Sequence, residues 1–115
     1  MTEDKVRTIY FYKSYFMDFM SSLNKAKVKE KVFYVLRMIE TVQRVPTDYL
    51  KHIEGTDGLY EIRVKSGSDI YRIFCFFDEG KLIVVANGFQ KKTQKTPKGE
   101  INRALKIKSE YESEK

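Results

Sequence analysis

Apolar positions change their spacing midway along the chain. In the first half, Val28, Val32, Val35, Leu36, Ile39 and Val42 recur close to a helical period. That stripe predicts a long amphipathic helix from about Lys25 to Gln43, and Pro46 closes it. A shorter stripe of Phe16, Phe19, Met20 and Leu23 predicts a helix over 14–22, with Ser14 as its cap. Ahead of it, Val6 to Tyr12 is rich in β-branched and aromatic residues and reads as a strand.

In the second half the period falls to two. Tyr49 to Glu54 reads as a short strand, and Leu59 to Lys65 as a better one. Tyr60, Ile62 and Val64 lie on one face of it, and Glu61, Arg63 and Lys65 on the other. Ser66 to Asp69 is a turn. Ile70 to Phe77 is apolar on both faces except at Arg72, the mark of a central strand covered on both sides. Asp78-Glu79-Gly80 turns the chain into another strand, Lys81 to Phe89. Thr96-Pro97 then offers an N-cap with proline at the first helical position. Ile101, Ala104, Leu105 and Tyr111 supply the apolar side of a last helix, with Glu112 to Lys115 expected to fray. The order of elements predicts an α+β fold, an antiparallel meander plus an N-terminal strand, packed against two N-terminal helices and a C-terminal helix. No repeat or linker divides it, so residues 1–115 read as a single domain with its core over about 6–111.

Composition narrows the function. Of 115 residues, 42% are apolar and 33% charged, with a formal net charge of +6. These values suit a folded domain with an anionic partner, a nucleic acid or an acidic protein. The single cysteine, Cys75, rules out an intrachain disulfide, and the N-terminus has no apolar signal segment. A cytoplasmic protein with no membrane span is expected. One histidine, His52, and one cysteine provide no metal-ligand spacing, so neither a metal nor a cofactor is expected.

The hairpin register concentrates the chemistry. With a turn at Ser66 to Asp69, Lys65 pairs with Ile70 and Arg63 faces Arg72. Two guanidinium groups facing each other need an anion between them, which Glu61 or a phosphate can supply. The same counting through Asp78 to Gly80 places Arg72 opposite Ala86, whose small side chain leaves room above the guanidinium. Lys91 and Lys92 leave the last strand near this corner, and Lys95 follows. Tyr71 and Phe89 flank it as candidates for stacking on bases. The plainer reading of Lys65, Lys91, Lys92 and Lys95 is solvated surface charge. Arg72, the one charge in an apolar strand, requires a partner or an opening to solvent.

At these residues the chain resembles a known family. Leu59-Tyr60-Glu61-Ile62-Arg63, Tyr71-Arg72-Ile73-Phe74, the run Asn87 to Pro97, and Glu100-Ile101 with Ala104 are similar to RelE/HigB toxins of type II toxin–antitoxin systems, more narrowly the phage-derived Gp49-like branch. The resemblance implies an endoribonuclease that cuts mRNA on the ribosome without a metal, by attack of the ribose 2′-OH on the adjacent phosphate. It places the family's basic strand residue on Arg63, its arginine on Arg72, and its basic residue after the last strand on Lys91 or Lys92. The implied partners are an antitoxin, expected to be a helix-turn-helix protein, and mRNA on the ribosome, with operator DNA reached only through the antitoxin complex. Catalysis is thus expected from Arg63, Arg72 and Lys91, and RNA binding from Lys65, Lys92, Lys95, Tyr71 and Phe89. The chain departs from the better-known RelE pattern at Glu61, where a basic residue is usual, and in lacking a tyrosine counterpart near the site. The alternative is a non-catalytic module binding RNA, DNA or an antitoxin, or a decayed prophage toxin, on the same fold.

Overall fold

The computed structural model describes residues 5–92 and 95–115. In chain order the elements are β1 (Thr8–Phe11), α1 (Tyr15–Ser21), α2 (Ala26–Thr41), β2 (Leu50–His52), β3 (Leu59–Ser66), β4 (Asp69–Asp78), β5 (Leu82–Lys91) and α3 (Lys98–Ser113). Among the described residues the strands form one sheet in the order β1-β5-β4-β3-β2.

The meander from β2 to β5 is antiparallel, but β1 lies parallel to β5, so the sheet is mixed. The reason is the path of the chain. Helices α1 and α2 carry it across one face, from the β1 edge to the β2 edge. Three hairpin reversals then bring β5 back in the direction of β1.

The two faces of the sheet explain why β4 is apolar on both sides. Ile62, Val64, Tyr71, Ile73, Cys75, Ile83 and Val85 pack with Phe16, Phe19, Val32, Leu36 and Ile39 of α1 and α2. On the other face, Leu59, Phe74, Phe76, Val84 and Ala86 pack with Ala104 and Ile107 of α3. The central strand is covered twice, hence its continuous apolar run.

The helix ends differ from the sequence reading in three ways. Ser14 stands at the start of α1, but its hydroxyl donates to Asp18 Oδ2 at 3.1 Å and makes no cap bond. Thr96 is not the cap of α3. Pro97 takes that position, and the Thr96 hydroxyl is committed to a side chain on the sheet, described below. The C-terminus does not fray. Helix α3 continues to Ser113, Glu114 accepts a hydrogen bond from Tyr12 Oη at 2.8 Å, and Lys115 Nζ reaches Asp78 Oδ1 at 2.7 Å.

Helix α2 ends against Arg7, whose guanidinium donates to the carbonyl oxygens of Ile39 (2.9 Å), Val42 (2.7 Å) and Gln43 (2.8 Å). A cation at the carbonyl end of a helix satisfies orphan acceptors and complements the dipole. Arg7→Ala is expected to cost about 1–2 kcal/mol, read as a lower midpoint in urea at unchanged slope.

Candidate nucleic-acid interface

The β3–β4 hairpin has the register that the sequence predicts: Lys65 pairs with Ile70 and Arg63 with Arg72. Both arginines therefore project to the face that carries α3. The apolar residues packed with α3 reach as far as Phe74 and Phe89, and the end of the sheet beyond them bears Arg63, Arg72 and Lys91. A cleft of about 260 Å³ opens there, lined by Asp48, Tyr49, Arg63, Lys65 and Arg72.

The expected neighbour of Arg72 is corrected. Arg72 lies opposite Phe89, not Ala86. Two effects shift the register. The second hairpin closes with Asp78 opposite Leu82, and a bulge sets Ala86 and Asn87 of β5 against Phe74 alone on β4. The room beside the guanidinium therefore comes from the cleft on the Arg63 side. Phe89 stacks on Phe74 at 5.5 Å between ring centroids, on the β5 side of Arg72 and outside the lining of that cleft.

Glu61 is buried beneath the pair. Arg63 Nε donates to Glu61 Oε1 at 3.0 Å, and Arg72 Nε lies 3.4 Å from the same oxygen. The Thr96 hydroxyl donates to Oε2 at 3.0 Å, tying the segment before α3 to the floor of the site. Arg72 is only 5% exposed, yet its Nε and Nη1 make no hydrogen bond. It has a countercharge within ion-pair distance but lacks acceptors in the right directions.

Lys91, opposite Ile70, completes the group. Its pKa is pushed down, first by burial and then by the charges of Arg72, Arg63 and Lys51, against the pull of Glu61. Burial also lowers Arg72, with Arg63 adding to the effect and Glu61 opposing it. Lys51 enters through its pairing with Glu61 across β2 and β3.

The other sequence candidates fall in different places. Lys65 is exposed on the rim of the cleft. Lys92 and Lys95 are exposed beyond the end of β5, while Thr93 and Gln94 of the same run lie outside the described residues. Tyr71 is not on this face at all. It is 5% exposed, in the core beneath α1 and α2, because neighbours along a strand alternate sides. Asp48, Tyr49 and Lys51 are residues that the sequence reading missed. The available signal was the short strand itself, since Arg63 N donates to Tyr49 O at 2.8 Å and draws this segment against the site.

Cys75 is buried, and burial pushes its thiol pKa up, so it is packing and not a nucleophile. Tyr111 donates to Asp78 at 2.6 Å, at the opposite end of β4 from the site. That bond and burial push its pKa up to about 12. Among the described residues no group of His, Cys, Asp and Glu could hold a metal ion. The donors that converge here suit an anion.

Residues 18–109 match the family described as phage-derived protein Gp49-like (DUF891). The chain belongs to the Gp49-like family. No curated protein matches it. The matched span runs from within α1 to within α3 and includes Arg63, Arg72, Lys91 and Glu61. Among the described residues, no helix of this Gp49-like chain is long and apolar enough to cross a membrane.

Proposed function

We propose that the protein is the toxin of a type II toxin–antitoxin pair, a RelE/HigB-like endoribonuclease that cuts mRNA on the ribosome in the cytoplasm. The observation that carries this reading is the convergence of Arg63, Arg72 and Lys91 from three adjacent strands onto one end of the α3 face. Membership of the Gp49-like family and the mixed sheet with three helices agree with it.

In the proposed reaction the ribose 2′-OH passes its proton to water and its oxygen attacks the adjacent phosphorus. The bond from phosphorus to the 5′-oxygen breaks, leaving a 2′,3′-cyclic phosphate and a 5′-OH. Negative charge builds on the phosphate oxygens, and fixed guanidinium groups in a partly dry site stabilise it. Arg72, with donors already desolvated and unbonded, holds the scissile phosphate, and Arg63 positions the RNA beside it. Lys91 gives a proton to the departing 5′-oxygen. A lysine whose pKa is lowered by burial and neighbouring cations is a stronger acid than a solvated one. Lys65, Lys92 and Lys95 hold the RNA or ribosomal backbone, and Phe89, across from Arg72, offers a ring for stacking on a base. The antitoxin, a helix-turn-helix protein, covers this basic face and links the pair to operator DNA.

Glu61 favours a second reading. It neutralises the arginine pair from beneath, which suits a module that binds RNA or an antitoxin without cutting. Induced expression in a bacterium with mapping of mRNA 5′ ends separates the two. Cleavage predicts growth arrest with new 5′-OH ends inside translated codons. Normal growth with intact mRNA, from soluble folded protein, would overturn it.

A further inference from the structure

Glu61 is bonded in a lopsided way. One oxygen, Oε1, serves both guanidinium groups through their Nε atoms, at 3.0 Å to Arg63 and 3.4 Å to Arg72. A structural carboxylate–arginine pair is commonly bidentate, with two parallel bonds to one fork. Here neither arginine receives that, and Arg72 keeps Nε and Nη1 buried without a hydrogen bond. The carboxylate therefore relieves the repulsion between Arg63 and Arg72 while bonding Arg63 Nε alone and leaving Arg72 Nε and Nη1 unbonded. A tetrahedral phosphate, with oxygens pointing several ways, would do both. The second oxygen is held by Thr96, at the end of the segment that carries Lys92 and Lys95.

We propose that Glu61 is a displaceable internal anion, holding between Arg63 and Arg72 the seat that an RNA phosphodiester takes on binding. RNA then competes with this carboxylate for the arginines, and Glu61 weakens binding to chains that offer only one loosely held phosphate. Displacing it also frees Thr96, which stands just before α3. That the anion is RNA rests on the function proposed above. The anion seat itself rests on the geometry alone.

The test compares the full-length protein with Glu61→Gln, using inorganic phosphate and a short single-stranded RNA as probes. Without phosphate the variant should melt below the wild type, because the two arginines lose their countercharge. Phosphate should raise its midpoint far more than that of the wild type. At low salt it should bind the RNA on the order of tenfold more tightly, having gained a local positive charge in a partly desolvated site. Equal or weaker RNA binding by the variant, while wild-type binding still depends on Arg72, overturns the inference and leaves the RNA reading standing. Strong phosphate rescue with no Arg72-dependent RNA binding supports the seat and overturns the RNA reading. The absence of both phosphate rescue and tighter RNA binding overturns the seat. If Glu61→Gln does not fold even in phosphate, Thr96→Val removes the hold on Oε2 with no change of charge. It should tighten RNA binding a few-fold, and unchanged or weaker binding overturns the inference.

Discussion

Arg72→Ala is expected to lower mRNA cleavage by a factor of about 10²–10³, which corresponds to roughly 3–4 kcal/mol of transition-state stabilisation. The size follows from the position. Arg72 is 5% exposed, so its field is little screened, and its Nε and Nη1 are already desolvated and make no hydrogen bond. The loss should appear as normal growth on induction and as disappearance of new 5′-OH ends. Folding should survive, because the truncation also removes two buried donor atoms that make no hydrogen bond and so lifts their desolvation cost. Glu61 keeps Arg63 as its partner at 3.0 Å. Arg72→Lys preserves the charge but loses the planar fork, and should retain only part of the activity. A fully toxic Arg72→Ala protein would remove Arg72 from the mechanism.

Gly88→Ala is expected to destabilise the fold by about 2–3 kcal/mol, near the upper end for overpacking a core. A Cβ at Gly88 would stand 2.8 Å from two ring atoms of Phe19. Phe19 cannot swing clear, because it is 7% exposed and packed in the core cluster of α1, α2 and the sheet. The glycine lets α1 lie close on β5 next to the bulge that re-aims the end of that strand. Its place in the basic motif is thus steric. Urea unfolding should show the lowered midpoint, and the double change Phe19→Leu with Gly88→Ala should recover part of the loss. Independent, additive effects of the two substitutions would refute the contact.

Much of the site could be read along the chain, and the misses have definite causes. The Arg63–Arg72 pairing was legible because a tight turn and a period of two leave one register that keeps Ile62 and Val64 inside. The position of Tyr71 was legible too, since it adjoins Arg72 and neighbours on a strand point to opposite faces. Choosing both for one site contradicted that rule. The partner of Arg72 was not legible. The second hairpin closes two residues further along β5 than a turn at Asp78 to Gly80 implies, a bulge adds one more, and together they put Phe89 in the place expected for Ala86. For Asp48 and Tyr49 the short strand was legible but its place was not, because a long-range backbone bond from Arg63 N to Tyr49 O sets it against β3.

Element types and the two-sided burial of β4 were determined by the sequence itself, because they follow from periodicities of a few residues. So was the confrontation of Arg63 with Arg72, since a short hairpin turns local spacing into a contact. The tertiary structure alone decided which cations share an open surface. That depended on the bulge in β5, on how far along the sheet α3 packs, and on Glu61 and Thr96 meeting beneath the arginines from positions far apart in the chain. Those are long-range packing outcomes, settled by how whole faces bury apolar area, and no local pattern encodes them.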